Sequence, residues 1–211
     1  MDRSTQISTF SRIARVSRET IISLEKYEKL LINANKTLNL ISKSTINFIW
    51  HRHILDSFQV IDFIDKNQNT LIDVGSGAGF PGIVLAIAAK DRKVPLKISL
   101  IEKSPKKINF LKEVIKKLDL DVELICQDVF KNEKKLTADI LTARAFKPFP
   151  IFLKLIHNKA INWNFFFVFL GKTGNEQLLQ ASKSWHIQYK RRVSITDNDS
   201  TIIEVNNLKK K

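Results

Sequence analysis

Cysteine is almost missing. Cys126 stands alone among 211 residues, which excludes an intramolecular disulfide and any metal centre built from several thiolates. No apolar run approaches the ~20 residues that a membrane-spanning helix needs. The run FFFVFL, at 165–170, reads instead as a buried strand. The first twenty residues, MDRSTQISTFSRIARVSRET, hold no uninterrupted hydrophobic stretch, so no secretory signal is expected. Together these absences point to a cytoplasmic chain without a membrane role. Acidic residues are also short, 21 against 35 basic, leaving a net charge of +14. An excess of that sign favours polyanionic partners, nucleic acid first among them. The abundance of Lys, Ile, Asn and Phe, residues of A/T-rich codons, accounts for part of it through base composition.

What is present has a clear order. Neither a repeat nor a low-complexity linker divides the chain, the terminal KKK aside. Leu24, Tyr27, Leu31, Ala34 and Leu38 recur at steps of three and four, one face of a helix. A second helix is expected over 45–64, with Phe48, Leu55, Phe58 and Ile61 turned inward. The polar break DKNQNT at 65–70 separates this helical N-terminal extension, 1–66, from the remainder, 67–211. There LIDV is a short strand, 81–89 a helix and KISLI at 97–101 the next strand. Ser104 is placed as an N-cap with Pro105 at the first helical position, followed by the stripe Ile108, Leu111, Ile115 and Leu118. VELIC (122–126), DILTA (139–143) and FFFVFL supply three more strands. Strands alternating with helices imply a parallel sheet covered on both faces. WHIQYKRRVSI (185–195) and STIIEV (200–205), around TDND, read as an antiparallel hairpin. The expected fold is doubly wound α/β: a mostly parallel, seven-stranded sheet ending in a C-terminal antiparallel hairpin.

Of only six glycines, four fall in LIDVGSGAGFPG, 71–82. Such a turn lets a ligand approach the backbone, and in this fold class ligands bind beyond the carboxyl ends of the strands. The only GKT, at 171–173, has Phe166 where a phosphate-binding loop requires glycine, which excludes that route to ATP. Gly77, Gly79 and Gly82 satisfy a dinucleotide spacing, but that register starts four residues past Asp73 and encloses Pro81. The register that meets the strand end is DVGSGAG, with Asp73, Gly75 and Gly77. A carboxylate there repels diphosphate and attracts an ammonium, which suits the amino-acid end of S-adenosylmethionine. Glu102, closing the second strand, is placed to take both ribose hydroxyls; it does so equally for a nicotinamide dinucleotide. QDVF, 127–130, is where an adenine would lie, held by backbone N–H groups and an apolar side chain. The rival readings left open are a nicotinamide-dependent oxidoreductase, a small-molecule methyltransferase and a non-enzymatic RNA-binding module.

DVGSGAG with an acid ending strand two is similar to class I S-adenosylmethionine-dependent methyltransferases. RHILDS (52–57), GFPGIVLAI (79–87), ARAF (143–146) and the pair Asn39–Leu40 narrow the likeness. With them the chain resembles the bacterial 16S rRNA (guanine-N7)-methyltransferase G family, also called glucose-inhibited division protein B. The resemblance covers about 24–171. It implies methyl transfer from S-adenosylmethionine to N7 of one guanine in the decoding-site loop of 16S rRNA. It also implies cofactor contacts at Gly75, Phe80, Val129, Phe130 and Arg144. Ile41, Asp128 and Phe130 depart from the family's usual residues.

Guanine N7 offers a lone pair and carries no proton, so attack on a sulfonium methyl needs alignment rather than a general base. No catalytic acid–base residue and no metal are therefore expected. The chain has no N-P-P-[YF] or D-P-P-[YF] run for gripping an amine, and no Pro-Cys loop for an adduct on cytosine. Arg144, after the fourth strand, is the first positioning candidate, for the cofactor carboxylate or the guanine O6 edge. Arg52, His53 and Asp56 are candidates for RNA or for the cofactor's methionine end, or else for docking the extension onto the sheet through a buried ion pair. His51 reads as surface. Lys172 is a candidate phosphate contact, and Lys190, Arg191 and Arg192 form either an RNA-backbone patch or a charged sheet edge. The expected partner is 16S rRNA or the small ribosomal subunit, met by a monomer.

Overall fold

A computed structural model describes residues 1–65 and 67–211. The expected boundary falls on Lys66, outside the described residues. Helix α1 (Arg3–Ala14) is capped by the Asp2 carboxylate, which accepts from the Thr5 amide at 2.8 Å. Helix α2 (Arg18–Leu38) is capped by the Ser17 hydroxyl. On it the stripe behaves as its spacing predicts: Leu24, Tyr27 and Leu31 are buried, Ala34 and Leu38 half-buried.

The single helix expected over 45–64 is corrected. A 3-10 segment (Lys43–Phe48) leads into a π-helical turn (Trp50–Leu55), one α-turn, α3 (Asp56–Phe58), and another 3-10 segment (Gln59–Phe63). Phe48 and Leu55 share a face only at 3.6 residues per turn. Three per turn followed by more than four rotates Phe48 off that face, and it is 40% exposed, whereas Leu55, Phe58 and Ile61 are buried.

The alternating part follows as β1 (Thr70–Val74), α4 (Gly82–Arg92), β2 (Lys97–Glu102), α5 (Pro105–Leu118), β3 (Val122–Cys126), β4 (Leu136–Thr137), β5 (Ile140–Arg144), α6 (Phe149–Lys159), β6 (Ala160–Ile161), β7 (Phe165–Leu170), α7 (Gly174–Ser182), β8 (Trp185–Ser194) and β9 (Asp197–Lys210). The main sheet runs β3-β2-β1-β5-β7-β9-β8, with β9 antiparallel to both its neighbours and the other pairings parallel. This is the expected doubly wound, mostly parallel seven-stranded sheet ending in an antiparallel hairpin. The two-residue strands β4 and β6 pair separately, a small sheet that the sequence did not announce.

Two apolar layers cover the sheet. Phe10, Trp50, Phe58 and Phe110 pack with Phe165 and Phe167 on one face. On the other, Phe149, Phe152 and Ile156 of α6 pack with Phe166 and Val168. FFFVFL thus feeds both layers alternately, as an interior strand must. The N-terminal elements share the first layer with α4 and α5 rather than forming a core of their own. The hairpin turn is tighter than expected. Ile195 and Thr196 alone connect the strands, because Asp197 already pairs with Ser194 and its carboxylate accepts from the Asp199 amide at 2.9 Å. Among the described residues no helix is long and apolar enough to cross a membrane.

Candidate active site

From β1 the chain winds outward through β2 and β3, then returns to the other side of β1 as β5. The crevice at this reversal is where such sheets bind ligands. After β1 the glycine turn is pinned by the Gly75 and Ser76 amides, which donate to the Ile101 carbonyl at 2.8 and 3.0 Å. Gly75 has φ +75°, a conformation that suits glycine. Glu102 holds the turn from β2: one carboxylate oxygen accepts from the Gly77 amide at 3.0 Å, the other from the Lys103 and Ser104 amides, both at 2.8 Å. Ser104 does occupy the N-cap of α5, but its side chain makes no capping bond; the Glu102 carboxylate binds nearby amides instead. From above, Tyr27 of α2 donates its hydroxyl to the Ala78 carbonyl at 2.6 Å.

Beside the turn lies a cavity of about 210 Å³ walled by Gly75, Glu102, Asp128, Val129, Phe130 and Phe146, among others. Four of the expected cofactor residues, Gly75, Glu102, Val129 and Phe130, therefore meet there. Asp128 was named from the sequence only as a departure from the family's usual residues, and Phe146 was not singled out as a side chain, although it stands in the quoted ARAF. Asp128 accepts from the Phe130 amide at 3.0 Å, and that bond holds its carboxyl below the usual range. The donor set fits a ribosyl-adenine group: a carboxylate for hydroxyls, apolar Val129 and Phe130 for a flat ring, and a second carboxylate for an amine.

The other expected residues lie elsewhere. Asp73 is fully buried beneath the turn and walls neither this cavity nor the larger cleft beside it. One of its oxygens accepts from the Gly82 amide at 3.1 Å, the other has no partner, and burial pushes its pKa up to about 7. Its contact with the α4 N-terminus leaves an acid where the nicotinamide reading needs diphosphate. Gly77 supports the turn through Glu102. The Phe80 ring is buried between Tyr27 and His53, with centroids at 5.4 and 5.0 Å. His53 lies nearly parallel to it, and burial with the nearby Arg144 and Arg52 charges lowers its pKa to about 3.

The larger cleft, of about 710 Å³, has Arg52, Asp56, Arg144 and Phe146 in its walls. Arg144 uses its guanidinium on the N-terminal segment. It donates to the Asp56 carboxylate at 3.1 Å, to the Ser57 hydroxyl at 3.2 Å, and to the carbonyls of Arg52 and His53. Asp56 accepts further from Ser194 at 2.6 Å and Gln59 at 3.0 Å. Of the two roles considered for Asp56, the docking ion pair is the one formed. Arg52 instead pairs with Asp197 at 2.8 Å. His51, read as surface, is half-buried with its ring Nε2 2.9 Å from the Thr196 carbonyl, a correction that reflects the hairpin folding back onto this segment. Lys172 is exposed in the turn after β7, next to the cleft wall at Gly171. Lys190 and Arg192 both pair with Glu204, at 3.3 and 2.7 Å; Arg191 is exposed.

Residues 20–204 match the family model of rRNA small subunit methyltransferase G, or GidB. The chain belongs to that family. It is S-adenosylmethionine-dependent, as the glycine turn led us to expect. The ribosomal RNA small subunit methyltransferase G of Pelagibacter ubique is 38% identical over 198 residues, covering 93% of this chain and 92% of its own. That of Rickettsia felis is 39% identical over 195 residues, with 92% and 97% coverage. Among solved structures, a SAM dependent methyltransferase from Aquifex aeolicus superposes with a TM-score of 0.55 at 19% identity, covering 82% of this chain and 97% of that one. It shares the fold. Membership in the family is what the motifs RHILDS, GFPG and ARAF implied.

Proposed function

We propose that this chain methylates N7 of one guanine in the decoding-site loop of 16S rRNA, acting as a cytoplasmic monomer on the small subunit or its RNA. S-adenosylmethionine supplies an electrophilic methyl group on a sulfonium sulfur. In this reading Glu102 holds the ribose hydroxyls, Val129 and Phe130 flank the adenine, Asp128 faces its amine, and Gly75 lets the backbone approach. Asp73, Gly77 and Phe80 shape the turn from beneath and behind. Arg144 fixes the wall of the cleft, while Arg52 and Lys172 meet RNA near its rim.

The observation that carries the proposal is the shared wall. A cavity with the donors for an adenosyl group opens beside a cleft large enough for a nucleotide and lined by arginine. Neither Asp56 in the cleft wall nor His53 beside Phe80 is a ready proton acceptor: Asp56 is tied to Arg144, and a His53 pKa of about 3 makes a weak base. Guanine N7 requires none. Isothermal titration with S-adenosylhomocysteine and with NADH tests the cofactor. The former is expected to bind and Gly75→Asp to abolish binding; binding of NADH alone would overturn the reading.

A further inference from the structure

Among the described residues, Phe146 is the one aromatic side chain in the walls of both the cofactor cavity and the larger cleft. Its position is set by the backbone. Ala145 has φ +49°, a left-handed conformation unusual for alanine. The chain leaving β5 is thereby turned so that the Phe146 ring lies on Gly75. A Cβ built on Gly75 would fall 2.1 Å from the ring's Cδ2 and 2.7 Å from Cε2, so the ring rests against the glycine's own backbone. Phe130 lies nearly parallel to it, at 11° with centroids 5.9 Å apart, and Phe152 meets it edge-on at 6.4 Å.

This placement conflicts with a filled cofactor site. Gly75 is where the turn admits a ligand, and its exposed surface is covered by a phenyl ring. The remaining cavity, about 210 Å³, is below the ~300 Å³ at the lower end for small-molecule sites. The ring has one roomy direction in which to move, the cleft of about 710 Å³. There it would stand as a flat apolar face beside Arg144 and Arg52. Unpaired bases in RNA are recognised by stacking on such faces.

We propose that Phe146 is the surface on which the target guanine stacks, and that it reaches this position when the cofactor displaces it from Gly75. Cofactor binding then precedes base binding. The inference rests on the methyl-transfer reading above. Phe146 is a positioning residue with two stations, a cover on Gly75 and a platform in the cleft.

The test uses the full chain carrying Phe146→Ala, Phe146→Leu and Phe146→Tyr, each checked for folding by its thermal melt. Losing the cover should tighten S-adenosylhomocysteine binding by about threefold or more in Phe146→Ala. Losing the platform should lower kcat/KM for small subunits about 10- to 100-fold, the range of one base stack. Phe146→Tyr should restore that parameter to within about threefold and Phe146→Leu should not. Unchanged or weaker cofactor binding in Phe146→Ala overturns the displacement, and unchanged kcat/KM, or rescue by leucine, overturns the stacking. If Phe146→Ala does not fold, Phe146→Leu supplies the binding comparison. A wild-type chain that binds cofactor but leaves RNA unlabelled would overturn the methyl-transfer reading instead, and the binding comparison would still decide the displacement.

Discussion

Asp73 lies under the glycine turn with one oxygen on the Gly82 amide and the other unpartnered; opposite it on the adjoining strand is Thr142, whose hydroxyl is also unpartnered. Burial raises its folded pKa to about 7 from 3.8. Between those values the folded state keeps a proton that the unfolded chain has released. The associated stability is present below about pH 4 and is lost as pH rises through 7, by at most about 1.4 kcal/mol per pH unit. Asp73→Asn keeps an acceptor for Gly82 and removes the charge. Urea denaturation at several pH values should show the variant gaining on the wild type between about pH 4 and 7. A constant difference would mean that Asp73 titrates normally. The same pair tests the ammonium expectation: with Asp73 buried away from both cavities, affinity for S-adenosylhomocysteine should follow pH alike in wild type and variant, and a rise through pH 7 in the wild type alone would restore the ammonium contact.

At the scale of elements, the segment 43–63 is fixed to the tip of β5 by the Asp56–Arg144 pair and to the hairpin by Asp56–Ser194. Asp56→Ala would leave the guanidinium partly unpaired in a largely buried position. A loss of about 3 kcal/mol or more is expected, with faster amide exchange over 43–63, measured by denaturant unfolding and hydrogen exchange. A loss under about 1 kcal/mol would show that the pair is solvated. This segment is also where the sequence was least legible. The strands LIDV, KISLI, VELIC and FFFVFL, and the stripe from Ile108 to Leu118, announce themselves because side-chain period and backbone period agree. Over 43–63 the helical period changes from turn to turn, so a fixed 3.6 spacing misplaces Phe48. Arg144 and Asp56 come from opposite sides of the glycine turn in the chain, and no local pattern records such a pair. The candidate cofactor cavity was easier to see, since Gly75, Glu102 and Val129–Phe130 each sit at or just past the end of a recognisable strand. Phe146 was overlooked as a side chain because its aim depends on the left-handed Ala145 before it.

At the scale of the molecule, a charge of +14 makes the proposed RNA binding largely electrostatic. Binding to RNA should weaken steeply with salt while binding of S-adenosylhomocysteine stays level. With about five phosphate contacts, affinity for the RNA falls ~100-fold between 50 and 200 mM salt. Filter binding across that range reads the slope, and a flat slope would assign the lysine excess to composition alone. Methyl transfer itself is measured most directly on small subunits from cells lacking this protein, incubated with the chain and methyl-labelled S-adenosylmethionine. Reduction and aniline cleavage of the RNA then map the product. One label per subunit, with a single new cut at a guanine of the decoding-site loop, is the predicted result. Absence of label, or label at an atom that gives no aniline cleavage, would contradict it.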